Sequence, residues 1–299
     1  MPPSSSVSCE ASDRGAGTLR RSEPGPERPG PEGREREGLI VAVLEAGDAR
    51  LAYSPERGGR LLALTVAGLD LLITEQQDGH NFGAFPMAPW AGRIRRGRFS
   101  FGRRDYEMPI NNPPHAIHGV ARDHPWTDEG DGVMSVDLPE PWPFGGRVVQ
   151  RLSLSSDALT MTMEIHASDR EMPAALGWHP WWSRNLARGS ELSVDLRAGA
   201  MYRKDDDGIQ VDELVPIPSP PWDDCFTILE DPPTVLTWPG AVSVELTTAC
   251  PVVVVFTEPA HAICVEPQTH PPDALNLGPA IVRPGEPLSA TCTWRWTLT

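Results

Sequence analysis

The stretch LIVAVLEAGDARLAYSPERGGRLLALTVAGLDLLI, residues 39–73, indicates the fold class of this chain. It consists of short apolar runs at residues 39–44, 49–53, 60–66 and 69–73, which are separated by glycine, aspartate and proline. Apolar runs of this length that end at turn-forming residues are typical of strands in a β-sandwich or β-barrel. The stretch therefore predicts an all-β fold from about residue 39 onward.

The rest of the chain continues the same pattern. Residues 98–108 alternate aromatic and polar side chains around Gly102, which predicts a β-hairpin with this glycine in its turn. Residues 291–298 alternate polar with apolar side chains, as a half-buried strand does. Further strands are predicted at residues 147–155, 159–166, 191–196, 242–246 and 251–256. Because no long amphipathic helix and no internal repeat is evident, we expect one large domain over residues 39–299.

Residues 1–38 have a different composition, rich in proline, glycine, serine and charged residues. They include no aromatic residue, and Val7 and Leu19 are their only branched aliphatic side chains larger than alanine. Such a segment buries too little apolar area to offset its chain entropy. The sequence therefore predicts a disordered N-terminal tail.

Composition limits the classes of partner. The chain of 299 residues has a formal net charge of -15, which argues against binding to nucleic acid and favours a neutral or small ligand. Its five cysteines have no regular spacing, which indicates reduced thiols and not a disulfide framework or a zinc site. With no secretory signal and no apolar run long enough to span a membrane, we expect a cytoplasmic protein without a membrane partner, either a monomer or a homodimer.

One carboxylate lies in a setting that suits catalysis. An apolar segment at residues 262–265 leads directly to Glu266, and Pro267, Pro271 and Pro272 follow closely. Because proline cannot donate to a β-ladder, we expect the strand to end at Glu266 and a rigid loop to begin there. A carboxylate held on a rigid loop can act as a general base, whereas the alternative is an ordinary solvated residue at a strand end.

Two distant histidines lie in motifs with a restricted backbone. His118 precedes Gly119 in NNPPHAIHG, residues 111–119, where a tight turn would direct its ring into a cleft. His179 lies in ALGWHPWWS, residues 175–183, whose aromatic faces could stack on a sugar ring or form a tryptophan-rich core. His115 and His118 also form an HxxH pair, but no third ligand stands at a familiar spacing, so no metal is expected.

Arg93 and Asp223 are candidate ligand-binding residues. Arg93 follows rigid prolines in FPMAPWAGRIRRGR, residues 85–98, and Asp223 follows an aromatic residue in PWDDCF, residues 221–226. Both side-chain types bind hydroxyl groups, although arginines here could flank a solvated hairpin and the aspartate could cap a turn. The chain has no GxSxG, GxGxxG or P-loop motif and no activated cysteine. The remaining set favours general acid–base chemistry on a polyhydroxylated ring.

These segments together resemble a known family. PWAGRIRRGRFSF, PPHAIHG, GWHPWW, WDDCF and EPQTHPPDALN, in this order, resemble the aldose 1-epimerase (galactose mutarotase) family over residues 39–299, in particular its divergent bacterial members. The resemblance implies a large antiparallel β-supersandwich with an open carbohydrate cleft and no cofactor. It also implies an isomerase that interconverts the α and β anomers of free aldohexoses such as glucose and galactose.

The same resemblance implies roles for individual residues. Glu266 would remove the proton of the anomeric hydroxyl, and His179 would protonate the ring oxygen. His118 would assist at the ring oxygen or position the sugar. Contacts to the substrate are expected from Arg93, Asp223 and Trp181.

Three positions depart from the pattern that the family usually shows. Gly92 and His115 stand where asparagine is usual, and Val254 falls where a substrate-binding glutamine is common. These departures leave the substrate open, and one alternative is a hexose 6-phosphate 1-epimerase in which Arg95 or Arg96 binds the phosphate. A non-catalytic sugar-binding module is the alternative from a different class.

Overall fold

The computed structural model describes residues 41–79 and 81–299, so the predicted tail of residues 1–38 lies outside the described part. As predicted, the described chain is nearly all β. Its strands are β1 (Ala42–Ala46), β2 (Ala49–Ser54), β3 (Arg60–Val66), β4 (Leu69–Asp70), β5 (Ala84–Met87), β6 (Arg93–Ile94), β7 (Arg98–Phe101), β8 (Arg104–Glu107), β9 (Ala116–Ile117), β10 (Thr127–Gly130), β11 (Val133–Asp137), β12 (Arg147–Leu154), β13 (Ala158–His166), β14 (Met172–Ala174), β15 (Gly177–Ser183), β16 (Ser193–Lys204), β17 (Gln210–Val215), β18 (Asp223–Trp238), β19 (Val242–Thr248), β20 (Val252–Phe256), β21 (Ala262–Gln268), β22 (Ala280–Val282) and β23 (Leu288–Leu298).

Within residues 41–79 and 81–299, helical structure is confined to single turns. The helices are α1 (Ala274–Leu277) and the 3-10 turns Pro55–Arg57, Arg95–Gly97 and Ala121–Asp123. Among the described residues, no helix has the length and apolar character needed to cross a membrane.

One antiparallel sheet of 17 strands forms the body of the protein. Starting at β1, hydrogen-bonded neighbours follow in the order β1-β2-β3-β5-β15-β21-β20-β18. The 16-residue strand β18 pairs first with β20 and then, on the same edge, with β19, while β16 pairs along its other edge. From β19 the order continues as β23-β13-β12-β11-β10. The long strand β18 thus belongs to both halves of the sheet.

Tryptophan side chains pack the two halves together. Trp182 on β15 is fully buried, and its ring centroid lies 4.5 Å from that of Trp294 on β23 and 6.3 Å from that of Trp238 on β18. Large aromatic rings bury 150–250 Å² each and dominate core energetics. Because this cluster holds the core face of β15 in place, it also fixes the orientation of the side chains on the opposite face of the strand.

Alternation along the central strands produces a second face. On β15, Trp178 and Trp182 belong to the main core, and Trp181 belongs to a separate cluster with Cys264 of β21. On β21, Val265 also belongs to the main core. Because successive side chains of a strand point to opposite faces, the intervening residues of β15 and β21 line the other side of the sheet.

The predicted strands are largely confirmed. The segment 60–66 coincides with β3, and the predicted hairpin is β7–β8 with Gly102 in the turn. The segment 69–73 is shortened to β4, because beyond it the Ile73 N–H donates to the Trp181 carbonyl and the chain leaves β3. Of the five cysteines, Cys225, Cys250, Cys264 and Cys292 are buried free thiols, and Cys9 lies outside the described residues.

One predicted strand end is wrong. Prolines were expected to end the strand at Glu266, but β21 continues through Pro267. The ladder between β15 and β21 is interrupted around Pro267 and resumes in the same register on the other side, while β20 pairs along the whole segment. The gap covers residues 178–180 of β15 and 265–267 of β21, and it includes two residues without an N–H, Pro180 and Pro267. The strand nevertheless continues, and Glu266 lies within a central strand and not on a loop.

We expect Trp182→Ala to lower the free energy of unfolding by about 3–5 kcal/mol, because it removes a buried ring that joins both halves of the sheet. Urea denaturation followed by far-UV circular dichroism measures the change. Leu298→Ala is the control, since Leu298 is 47% exposed and surface changes usually alter stability by about 0.5 kcal/mol or less. Equal denaturation midpoints for the two variants would contradict this account of the core.

Candidate active site

An open cleft of about 650 Å³ lies against the second face of the sheet, over β5, β15, β21, β20 and the start of β18. Its volume lies within the usual range for small-molecule sites. The structure brings all the predicted site residues to this one cleft, which is lined by Arg93, His118, His179, Trp181, Asp223 and Glu266.

Strand register brings the two central groups together. Gly177 pairs with Gln268 and Trp181 pairs with Cys264. These two pairs share one register on either side of the gap, so residues 179 and 266 lie opposite each other within it. Residues directly opposite on antiparallel strands have Cβ atoms about 4.5–5.5 Å apart. The His179 Nε2 atom accordingly lies 3.2 Å from the Glu266 Oε1 atom, and both side chains are buried.

Aromatic packing fixes the imidazole of His179. Its ring stacks on Phe85, with centroids 4.7 Å apart, and on Trp181, with centroids 5.0 Å apart. The ring of His118 meets it edge-on at 4.9 Å. His118 has a left-handed backbone with φ 64°, and an added Cβ on Gly119 would lie 2.0 Å from the Ala88 carbonyl oxygen. The tight turn predicted at His118 is therefore present and directs its ring at His179.

Burial shifts the protonation of these groups in opposite directions. It raises the pKa of Glu266 well above its usual value, helped by the negative charge of Asp223. Burial also lowers the pKa of His179 to about 3, with further lowering by the positive charges of Arg122 and Arg60. The pKa of His118 is likewise well below its ordinary value, first because of burial. Burial therefore favours the state of this pair in which Glu266 is protonated and His179 is neutral.

Polar side chains surround this pair. Gln268 Nε2 donates a hydrogen bond of 3.2 Å to Glu266 Oε2. Arg93 Nη2 lies 3.8 Å from Asp223 Oδ2, and Lys204 Nζ lies 3.1 Å from the same oxygen. Sequence analysis missed Gln268 and Lys204. Alternation along β21 could have identified Gln268, two residues after Glu266, but only the pairing of distant strands brings Lys204 here.

Several polar atoms of the cleft residues lack partners. Buried atoms with no hydrogen-bond partner in the described part of the chain include His118 Nδ1, Trp181 Nε1, Gln210 Oε1 and Gln268 Oε1. Buried polar atoms in proteins are nearly always hydrogen-bonded. The set offers both donors and acceptors, which suits a ligand rich in hydroxyl groups.

His115 and His118, the two histidines of the HxxH motif, are directed to different places and do not act together as metal ligands. The Arg96 N–H donates to His115 Nδ1 at 3.1 Å, and His115 Nε2 lies 3.2 Å from the Asp207 carbonyl oxygen. His115 therefore anchors loops, whereas His118 faces the cleft. A different set, His179, Cys264 and Glu266, offers donor atoms within 4.8 Å of one another and could hold a metal ion.

The arginines suggested for phosphate binding are engaged elsewhere. Arg95 lies within 3.2 Å of carboxylate oxygens of Asp205 and Asp207, and Arg96 lies 3.1 Å from Asp207. Neither arginine lines the cleft. The cationic residues that do so are Arg60, Arg93 and Arg122.

Local packing explains one departure from the family pattern. Gly92 has φ 65°, and an added Cβ would lie 2.7 Å from the Cβ atom of Pro272. A side chain here would require strained backbone and displacement of the proline. Glycine therefore lets the loop after β21 approach the cleft closely.

Comparison with known proteins agrees with this fold. The family model described as aldose 1-epimerase matches residues 41–295. The uncharacterized protein YphB of Escherichia coli is 26% identical over 152 residues, which cover 48% of this chain and 52% of YphB. Galactose mutarotase of Sus scrofa is 26% identical over 194 residues, 60% of this chain and 53% of that protein. The chain thus spans about half the length of these curated relatives.

Solved structures share the architecture over nearly the whole chain. A galactose mutarotase-like protein from Clostridium acetobutylicum has a TM-score of 0.76 at 17% identity, covering 87% of this chain and 99% of its own. Galactose 1-epimerase from Lactobacillus acidophilus has a TM-score of 0.73 at 16% identity, covering 89% and 97% respectively. At such identities these structures support the fold alone. The family match over residues 41–295 goes further, and this chain belongs to the aldose 1-epimerase family.

Proposed function

We propose that this protein is an aldose 1-epimerase that interconverts the α and β anomers of an aldohexose. The observation that carries the proposal is the buried contact of 3.2 Å between Glu266 and His179 in a polar cleft that is large enough to hold a monosaccharide. A carboxylate and an imidazole in contact form an acid–base pair, and opening a cyclic hemiacetal requires one proton to be removed and one to be added.

The reaction assigns one proton transfer to each group. Glu266 accepts the proton of the anomeric hydroxyl, while His179 donates a proton to the ring oxygen and the C1–O5 bond breaks. Rotation about the C1–C2 bond of the open aldehyde presents its other face. Reclosure returns the protons in the opposite sense and yields the other anomer.

The pair can carry out both halves of this cycle without exchanging protons with solvent. Ring opening begins with the Glu266 carboxylate and the His179 imidazolium, and it ends with a protonated carboxyl group and a neutral imidazole. Both states contain the same number of protons. Burial favours the second state, which is the one that ring closure requires.

The surrounding residues suit recognition of the sugar. Arg93 and Asp223 would bind hydroxyl groups, since a guanidinium donates and a carboxylate accepts. Trp181 offers a ring face beside His179, and aromatic faces pack against the C–H face of a pyranose. His118, which is held neutral by burial, would accept or donate one hydrogen bond near the ring oxygen.

We expect the protein to accelerate the mutarotation of an aldohexose and Glu266→Gln to lower kcat by about 10²–10⁴-fold, because the amide cannot accept the proton. Polarimetry on freshly dissolved sugars, beginning with α-D-glucose and α-D-galactose, in a weakly catalytic buffer measures the rate. Glu258→Gln is the matched control, because it makes the same chemical change at an exposed residue that lines the same cleft.

Calorimetry with the same sugars separates catalysis from binding. Glu266→Gln should retain sugar affinity within a few-fold, because it keeps the size of the side chain. Binding by the wild-type protein with no acceleration on any aldose would contradict the proposal and indicate a non-catalytic sugar-binding module.

Glu266→Gln should also change how stability depends on pH. Because the folded pKa of Glu266 is raised, the contribution of this group to the stability of the wild-type protein falls as pH rises above the unfolded value of about 4.5, and the amide variant lacks this contribution. The free energy of unfolding of the variant relative to wild type should increase by about 1.4 kcal/mol per pH unit above that value, until the folded pKa is reached. Urea titrations between pH 4 and 8 measure this difference, and a pH-independent difference would show that Glu266 is not desolvated.

A further inference from the structure

We propose that the preferred sugar carries an acidic group on the C5–C6 side of its ring, and that Arg60 and Arg122 bind this group. The inference deepens the proposed function and rests on it, because the orientation of the sugar follows from the position of the ring oxygen at His179.

Arg60 and Arg122 lie together at one end of the cleft. Each guanidinium carbon is 4.8 Å from the centroid of the Phe85 ring, and the same ring stacks on His179 at 4.7 Å. The two cations are thus separated from the proposed acid by a single aromatic side chain. Both residues line the cleft itself.

The charges of these two arginines are poorly balanced by the protein. Arg60 forms no ion pair with any described residue, and its Nη1 atom donates a hydrogen bond of 2.6 Å to the Phe82 carbonyl oxygen. Arg122 lies 3.6 Å from Asp123, and its buried Nε has no hydrogen-bond partner among the described residues. By contrast, neighbouring Arg57 makes a two-bond contact with Glu75 at 2.5 and 2.7 Å.

Two partly buried like charges in contact with one ring are costly unless an anion joins them. Burial is the largest cause that lowers the pKa of Arg60 to about 10, and repulsion from Arg122 comes next. The planar guanidinium matches carboxylate and phosphate oxygens with paired hydrogen bonds. An anion between these side chains would satisfy their unused donors and offset their repulsion.

The orientation of the sugar follows from its covalent structure. The ring oxygen is bonded to C5, and C5 carries the exocyclic carbon C6. A sugar whose ring oxygen meets His179 therefore places its C6 substituent beside the same histidine, where Phe85 and the two arginines lie. The opposite side of the cleft, with Arg93 and Asp223, faces the ring hydroxyls.

There is room for a group larger than a hydroxymethyl. A second cavity of about 240 Å³ shares Arg60, Arg122 and Asp123 with the cleft. Its charged lining consists of three arginines and two carboxylates: Arg57, Arg60, Arg122, Glu56 and Asp123. Because Glu75 pairs with Arg57, Arg60 and Arg122 are the arginines of this cavity that are left to contact an anion.

The test compares D-glucose, D-glucuronate and D-glucose 6-phosphate, with anomer exchange measured at equilibrium by NMR exchange spectroscopy. We expect kcat/KM for at least one acidic sugar to exceed that for glucose by tenfold or more. Preference for glucuronate would indicate a compact monoanion, and preference for the phosphate would indicate a dianion. Equal kcat/KM for all three sugars would overturn the proposal.

Variants identify the residues. Arg60→Gln and Arg122→Gln should each lower the ratio of kcat/KM for the acidic sugar to that for glucose by about 10–100-fold, because charge-assisted hydrogen bonds are lost. Arg98→Gln is the matched control, since Arg98 lines neither cavity and its charge is paired with Glu107, and it should leave the ratio unchanged. A fall by the same factor on every sugar would instead indicate a structural role and would overturn the assignment.

Two further measurements keep this test separate from the proposed function. If no sugar is exchanged, the epimerase proposal fails, and calorimetry with D-glucuronate and D-glucose 6-phosphate still decides whether Arg60 and Arg122 bind an anion. If Arg60→Gln does not fold, Arg60→Lys and Arg122→Gln replace it. Loss of anion affinity in these variants supports the site, and unchanged affinity overturns it.

Discussion

The register between β15 and β21 is the constraint on which the site depends. It places His179 opposite Glu266, and the pairing of β15 with β5 places Phe85 on the other side of His179. The pairing of β20 with β21 continues the row from Glu266 to Val254. A shift of β15 by one residue would turn His179 toward the core and bring Trp182 to the cleft face, and a shift of β21 would have the same effect on Glu266 and Val265. The tryptophan core that locks this register therefore also holds the acid–base pair in contact.

Desolvation gives that pair its chemical character. The same burial that favours a protonated carboxyl group also favours a neutral imidazole, so these two residues avoid a buried ion pair. In the proposed reaction, a bound sugar would change this balance, because its hydroxyl groups would hydrogen-bond to both charged forms and supply the solvation that burial removes. The two protonation states would thus come closer in free energy only when the sugar is bound. Such a balance suits a reaction that must run equally well in both directions.

Sequence analysis predicted the strands with clear alternation and the residues with distinctive chemistry. The segment 60–66 was predicted because its apolar run ends at turn residues, and His118, His179 and Glu266 because of their restricted surroundings. It failed where tertiary pairing decides the outcome. Proline at position 267 normally ends a strand, yet here it occupies a gap in a ladder that another strand supports. Arg60 and Arg122 have no local motif, and only the folding of β3 and the turn after His118 brings them to Phe85.

In the proposed acidic-sugar site, the arginine pair would also connect recognition of the sugar with proton transfer. After burial, the positive charges of Arg122 and Arg60 are the next causes of the low pKa of His179. An anion bound between these arginines would offset their effect, because its charge lies at a comparable distance from the imidazole and has the opposite sign. The pKa of His179 would then rise toward the range in which an imidazolium can protonate the ring oxygen. A neutral sugar brings no such charge, so a smaller fraction of His179 would be protonated when that sugar is bound, even if it fits the cleft. Selectivity for an acidic sugar would therefore arise in the chemical step as well as in binding.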